Sequence, residues 1–413
     1  MTSALVNAPV KTLDPVQDAQ VRTAFADADR REAFLPTLCV QNHAANLHAL
    51  ANGDLLCVWF GGTQEGIPDV SIYLSRLSAG ADTWSAPQKL SDDSTRSEQN
   101  PVLFTAPDGR LWLIYTAQLS GHQNTALVRR RISSDNGLSW GAVDTLFDRP
   151  GTFVRQPIVV LPEGAWICPV FLCRTEPGER WVGNNDISAV MVSNDHGATW
   201  SEHHVPESVG CVHMNVQVLQ DGTLLALFRS RWADFIYTSR SRDGRVWSVP
   251  QPTELPNNNS SIQFVTLQNG HLALVFNESD ASHATQRRAS LYDDIDDSED
   301  SGELREQGSS SSGSAFWGAP RAPMSLAISE DGGQKWRRRR NLEIGDGYCM
   351  TNNSADQCNR EYSYPSIVQT ADGALHIAFT YFRQRIKYVS VGEAWVRGQN
   401  PAFVFRQMPS AGS

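Results

Sequence analysis

The chain has 413 residues, 35 basic and 45 acidic, with 40% hydrophobic and 19% charged side chains. A net charge of −10 argues against nucleic acid or an anionic membrane as partner, since either calls for a basic face. No apolar run approaches the ~18 residues of a membrane span, and residues 1–10 lack the basic and apolar regions of an export signal, so the chain reads as cytoplasmic, or as secreted if a leader has been removed.

In chain order, six segments repeat one pattern: a strand, a tight turn, and a second strand rich in aromatic and β-branched residues. The turns are Asn52-Gly53, Asp108-Gly109, Glu163-Gly164, Asp221-Gly222, Asn269-Gly270 and Asp372-Gly373. Each reads as a β-hairpin, because glycine supplies the positive φ such turns require. The glycines lie roughly 50 to 58 residues apart, except for one gap of about 103 before Gly373. A second motif, S-x-D-x-G-x-x-W, follows the hairpins at Ser133 to Trp140, Ser193 to Trp200 and Ser329 to Trp336. Ser241 to Trp247 is one residue shorter, and Ser75 to Trp84 is degenerate. In these turns Ser and Asp bond backbone amides, Gly relaxes φ, and Trp packs under the sheet, so they read as fold markers.

This constellation resembles the Asp-box (BNR-repeat) proteins of the sialidase superfamily, and the likeness covers nearly the whole chain. The resemblance implies an all-β fold, a single six-bladed β-propeller domain over residues 1–413. The long gap is expected to hold a disordered surface insertion at residues 293–315, which are acidic and rich in Ser and Gly; a degenerate blade there would raise the count to seven. The first 35 residues or so are expected to close the ring.

Alignment on the turn glycines shows which residues enter the central funnel. Nine positions before glycine stand Ala44, Asn100, Arg155, His213, Ser261 and Tyr364; eleven before stand Asn42, Glu98, Phe153, Cys211, Asn259 and Tyr362. Residues two apart on a strand share a face, so both columns are expected to converge. Seven after glycine, the second strands carry Phe60, Thr116, Phe171, Arg229, Asn277 and Thr380. Arginines beside histidines, a tyrosine and carboxamides suit an acidic ligand, because guanidinium binds carboxylate bidentately.

The sialidase resemblance gives several of these residues roles. Arg229 in ALFRSR and Arg321 before the last Asp-box are similar to arginines that clamp the substrate carboxylate, and Tyr364 is similar to the nucleophilic tyrosine entering the final blade. The family's first-blade Arg motif has no counterpart in VQNHAANL, where His43 is the nearest reactive group, and its glutamate near the fourth hairpin is replaced by GCVHMNVQVL. Glu361, Glu65 or Asp69 are candidates for the missing carboxylate. At the level of blade architecture the chain also resembles propeller polysaccharide lyases acting on glucuronate linkages. The leading expectation is cleavage of a glycosidic bond at an acidic sugar, by uronate β-elimination or sialidase-like hydrolysis. His43, His213, Tyr364 and Glu361 are the candidate catalytic groups; Arg155, Arg229, Arg321, Asn100, Asn259, Asn277 and Tyr362 are the candidate ligand contacts.

An intracellular enzyme acting on a carboxylated non-glycan metabolite and a non-catalytic glycan-binding propeller are the alternatives. No dinucleotide, phosphate-loop or metal-ligand motif is present, so neither cofactor nor metal is expected. The seven cysteines read as free thiols, with Cys349 and Cys358 alone placed to pair. The oligomeric state is not legible.

Overall fold

The computed structural model describes residues 19–176, 178–295, 305–306 and 313–398. Each hairpin grows into a four-stranded antiparallel blade, and six blades surround an axis. The first blade runs Gln41–Ala49, Leu55–Gly62, Ser71–Leu77 and Gln88–Lys89; the second, Ser97–Thr105, Leu111–Leu119, His122–Ser133 and Asp144–Phe147. In the third, Thr152–Val154 and Val159–Val160 both pair with Trp166–Leu172, followed by Ile187–Ser193 and Ser201–His204. The fourth is Cys211–Val218, Leu224–Ser230, Phe235–Ser241 and Gln251–Pro256; the fifth, Gln263–Thr266, Leu272–Asn277, Met324–Ser329 and Arg338–Glu343.

The sixth blade, Tyr362–Gln369, Leu375–Tyr381 and Arg385–Val391, takes its outer strands from the chain's beginning. Asp27–Phe34 pairs with Arg385–Val391, and Arg22–Ala24 pairs with Asp27–Phe34, which closes the ring as the repeats predict.

Second strands are sandwiched between neighbouring blades, so Leu55–Gly62, Trp166–Leu172, Leu224–Ser230 and Leu272–Asn277 are buried throughout. Their near-continuous apolar runs reflect burial on both faces. The Asp-boxes fill the turns between third and fourth strands. In the second blade the Gly137 amide donates to Ser133 Oγ (2.8 Å) and the Ser139 amide to Asp135 Oδ1 (2.9 Å), and the third blade repeats both contacts. Each box also abuts the preceding blade: a Cβ on Gly197 would lie 2.6 Å from Trp112, and one on Gly333 2.7 Å from Leu225.

The gap between Gly270 and Gly373 holds the third and fourth strands of blade five and an excursion between Asn277 and Met324, not a seventh blade. Most of the expected insertion, residues 296–304 and 307–312, lies outside the described residues. At its edges Asp293 is buried and bonded to Arg288, and Ala315 is buried. All seven cysteines are free; Cys349 donates to the Ala319 carbonyl and Cys358 to that of Asp356. Three arginines of the run at 337–340 belong to an outer strand, where Arg338 pairs with Glu330, Arg339 with Glu278 and Arg340 with Asp27.

Candidate active site

Four first strands carry the same irregularity. The pairing register slips between His43 and Asn46, Gln99 and Val102, Val212 and Asn215, and Ser363 and Ser366. Within each slip one residue is left-handed: Ala44 (φ +62°), Asn100 (+51°), His213 (+54°) and Tyr364 (+52°). These are the residues nine before the turn glycines. Such bulges re-aim side chains, and left-handed non-glycine residues gather where function holds them.

Tyr364 lies at the centre. Arg229 donates from Nη1 to the Tyr364 hydroxyl at 2.5 Å, and the guanidinium carbons of Arg155, Arg229 and Arg321 lie 5.3, 5.5 and 5.7 Å from its ring centre. The His43 ring is 4.2 Å and the His213 ring 5.6 Å from the same ring. Asn259 orients Arg229 by accepting its Nε at 2.8 Å and is itself anchored to the Phe316 carbonyl.

Glu361 is fully buried. It accepts Arg321 Nη1 at 2.8 Å and also bonds Arg383, whose Nη1 reaches Glu65 at 2.5 Å. Burial pushes the Glu361 carboxyl up, but Arg383 and Arg321 outweigh it and hold the group below the usual carboxylate range. Four guanidiniums (155, 229, 321, 383) thus face two carboxylates (65, 361). Arg229, with no carboxylate partner and Nη2 without any partner, is pushed down to about 9 by burial and by neighbouring arginines.

Sequence reasoning brought together His43, His213, Tyr364, Glu361, Arg229, Arg321 and Asn259. Asn100 stands at the same bulge and is 6% exposed, as is Tyr364. Four expectations are corrected. Tyr362 does not face the funnel: its hydroxyl donates to the Ile344 carbonyl and its ring packs 5.3 Å from Tyr381 in the core between blades five and six. The bulge at Tyr364 breaks the alternation that would have put both tyrosines on one face. Asn277 spends its amide on the Tyr362 and Pro323 carbonyls. Arg155 donates to Ser261 and to the carbonyls of Ala45, Tyr364 and Pro365, tying blades one, three, five and six at the axis. Asp69 is exposed and caps the Thr63 amide.

Arg383 was missed. It follows the sixth blade's second strand, beyond the aligned columns, and its φ of +56° turns it back toward the axis.

The blade-five excursion roofs this cluster. Tyr292 donates to Gln118 (3.3 Å) and accepts from Gln123 (3.0 Å), both on blade two. Trp317 lies 5.8 Å over Arg229 and 5.0 Å over Arg231, which pairs with buried Asp186. Among the described residues no group of three or more His, Cys, Asp or Glu is placed to hold a metal.

The BNR repeat-like domain model matches residues 53–377. The chain belongs to the BNR repeat-like family. No curated protein matches it in sequence. Solved structures similar to this BNR-repeat propeller include the Hadza microbial sialidase Hz136 (TM-score 0.62, 14% identity, 86% of this chain and 66% of that one). A protein of unknown function from Dyadobacter fermentans is also similar (0.61, 14%, 90% and 99%), as is the intramolecular trans-sialidase from Ruminococcus gnavus in complex with oseltamivir carboxylate (0.61, 12%, 87% and 96%). At these identities the likeness establishes the fold. The chain spans just under two thirds of the length of the first.

Proposed function

We propose that this BNR-repeat propeller hydrolyses the glycosidic bond of a carboxylate-bearing sugar. The observation that carries the reading is Arg229: a buried guanidinium without a carboxylate partner, set against the Tyr364 hydroxyl. A buried cation of this kind calls for an anion. The sugar carboxylate supplies it, received by Arg229 and Arg321 with Arg383 behind.

Tyr364 is assigned the attack on the anomeric carbon, where negative charge on the phenol oxygen is met in place by Arg229. As the bond from the phenol oxygen to carbon forms, the bond to the aglycone oxygen breaks, and the Glu65 carboxylate, engaged by Arg383 through Oε2 alone, takes the phenol proton and passes it to the departing aglycone oxygen. Water then displaces the tyrosine from the sugar, giving one proton through Glu65 back to the phenol oxygen and leaving its hydroxyl on the sugar, so that the Tyr364 hydroxyl and the Glu65 carboxylate are both restored. Glu361 holds Arg321 and Arg383 apart and in place, and Arg155 acts as an axial staple. The complex of the similar trans-sialidase with oseltamivir carboxylate supports a carboxylate-bearing ligand class.

The test is incubation with sialate- and uronate-containing oligosaccharides in heavy-oxygen water, reading product mass and ultraviolet absorbance. Heavy oxygen in the released sugar supports hydrolysis. A product lighter by one water that absorbs as an unsaturated acid overturns it in favour of elimination, and the absence of any product favours a binding role.

A further inference from the structure

His43 and His213 flank Tyr364 and are the natural suspects for a proton-accepting base. Their hydrogen bonds argue otherwise. Guanidinium carries five donors and no acceptor. Arg229 Nη1 faces His213 Nε2 at 3.4 Å, so that nitrogen presents its lone pair and the ring proton sits on Nδ1, which is buried with no partner.

For His43 the argument runs through Thr380. Thr380 Oγ1 accepts the Ala44 amide at 3.1 Å and lies 2.8 Å from His43 Nδ1. Thr380 is fully buried, and His43 is the group placed to take its hydroxyl proton. Nδ1 therefore accepts, and the ring proton sits on Nε2, again buried with no partner.

We infer that His43 and His213 are fixed as neutral rings of opposite tautomer, Nε2–H and Nδ1–H, and serve the ligand as hydrogen-bond donors rather than as bases. An unpaired buried donor is costly, and four surround Tyr364: His43 Nε2–H, His213 Nδ1–H, Arg229 Nη2–H and Arg155 Nη1–H. Donors alone fit a ligand that brings only acceptors, such as a carboxylate and the ring and glycosidic oxygens beside it. The electrostatics agree with the geometry. Burial, then Arg383, Arg321, Arg155 and Arg229, hold His43 well below the usual histidine range; burial, then Arg229, Arg231, Arg155 and Arg321, do the same for His213.

The donor role rests on the proposed acidic-sugar chemistry, whereas the tautomers do not, and two measurements separate them. Long-range proton–nitrogen correlation spectra of the nitrogen-labelled full chain, without substrate, should show His43 protonated at Nε2 and His213 at Nδ1 from about pH 5.5 to about 8.5, across which an ordinary histidine titrates. Thr380→Val should release His43 into a mixture of tautomers. An imidazolium in that range, or either tautomer reversed, overturns the inference. In turnover, His43→Gln keeps a donor but accepts no proton; it should cost less than about tenfold, against the 10²–10⁴-fold typical of a lost base. Equal losses for His43→Gln and His43→Ala overturn the donor role.

Discussion

Arg229 of blade four donates to the Tyr364 hydroxyl of blade six at 2.5 Å, a contact that crosses the axis of the propeller. Nothing in the hydrophobic core needs this bond. It joins a buried cation that lacks a counter-ion to the side chain the bulge in blade six turns inward.

Replacing Arg229 should therefore separate function from stability. Arg229→Met should lower kcat/KM by about 10²–10³, the loss of about 3–4 kcal/mol expected of one transition-state donor. The thermal midpoint should not fall, since an apolar residue of similar volume in place of an unmatched buried charge is neutral or stabilising. Steady-state kinetics and calorimetric melting check the two halves.

Glu361 should behave in the opposite way. Glu361→Gln strands Arg321, leaves Arg383 with Glu65 alone, and should destabilise the chain by about 3–5 kcal/mol in urea unfolding at neutral pH. Because the folded carboxyl titrates below its unfolded value of about 4.3, its contribution is complete above that pH and disappears as the pH falls through the folded value. The gap between native and variant stability should accordingly narrow in acid.

Gly197 tests the contact between blades. With φ at +83° and Trp112 2.6 Å from any added Cβ, Gly197→Ala should cost about 2–5 kcal/mol through strain and overpacking together. An equilibrium unfolding curve measures it.

Gly66→Ala should disturb the roof rather than the core. The added Cβ would lie 2.6 Å from Tyr292 Cε1. Amide exchange around residues 290–293 should accelerate while the inner strands of blades one and two keep their protection.

The fold was legible because each blade repeats local chemistry: all six turn glycines have positive φ, from +79° to +92°, and the Asp-box residues bond within their own turns. The site was legible only in part. Arg229 stood out as a charged residue at the end of an apolar strand, and Tyr364 by its place nine residues before a turn glycine. The bulges are occupied by Ala, Asn, His and Tyr, with no glycine to announce them, so the simple alternation rule misplaced Tyr362. Arg383 lies outside the repeated hairpin, and Arg155 looked like a clamp because sequence does not reveal that three carbonyls already claim its Nη2.

The most direct measurement is calorimetric titration with a carboxylated sugar and with its uncharged carboxamide analogue, on the native chain and on Arg229→Met. The account predicts saturable binding of the carboxylate by the native chain, at least about tenfold weaker binding of the amide for the loss of about 1.4 kcal/mol, and little preference left in Arg229→Met. Equal affinity for acid and amide, or an acid preference that survives loss of Arg229, would contradict it.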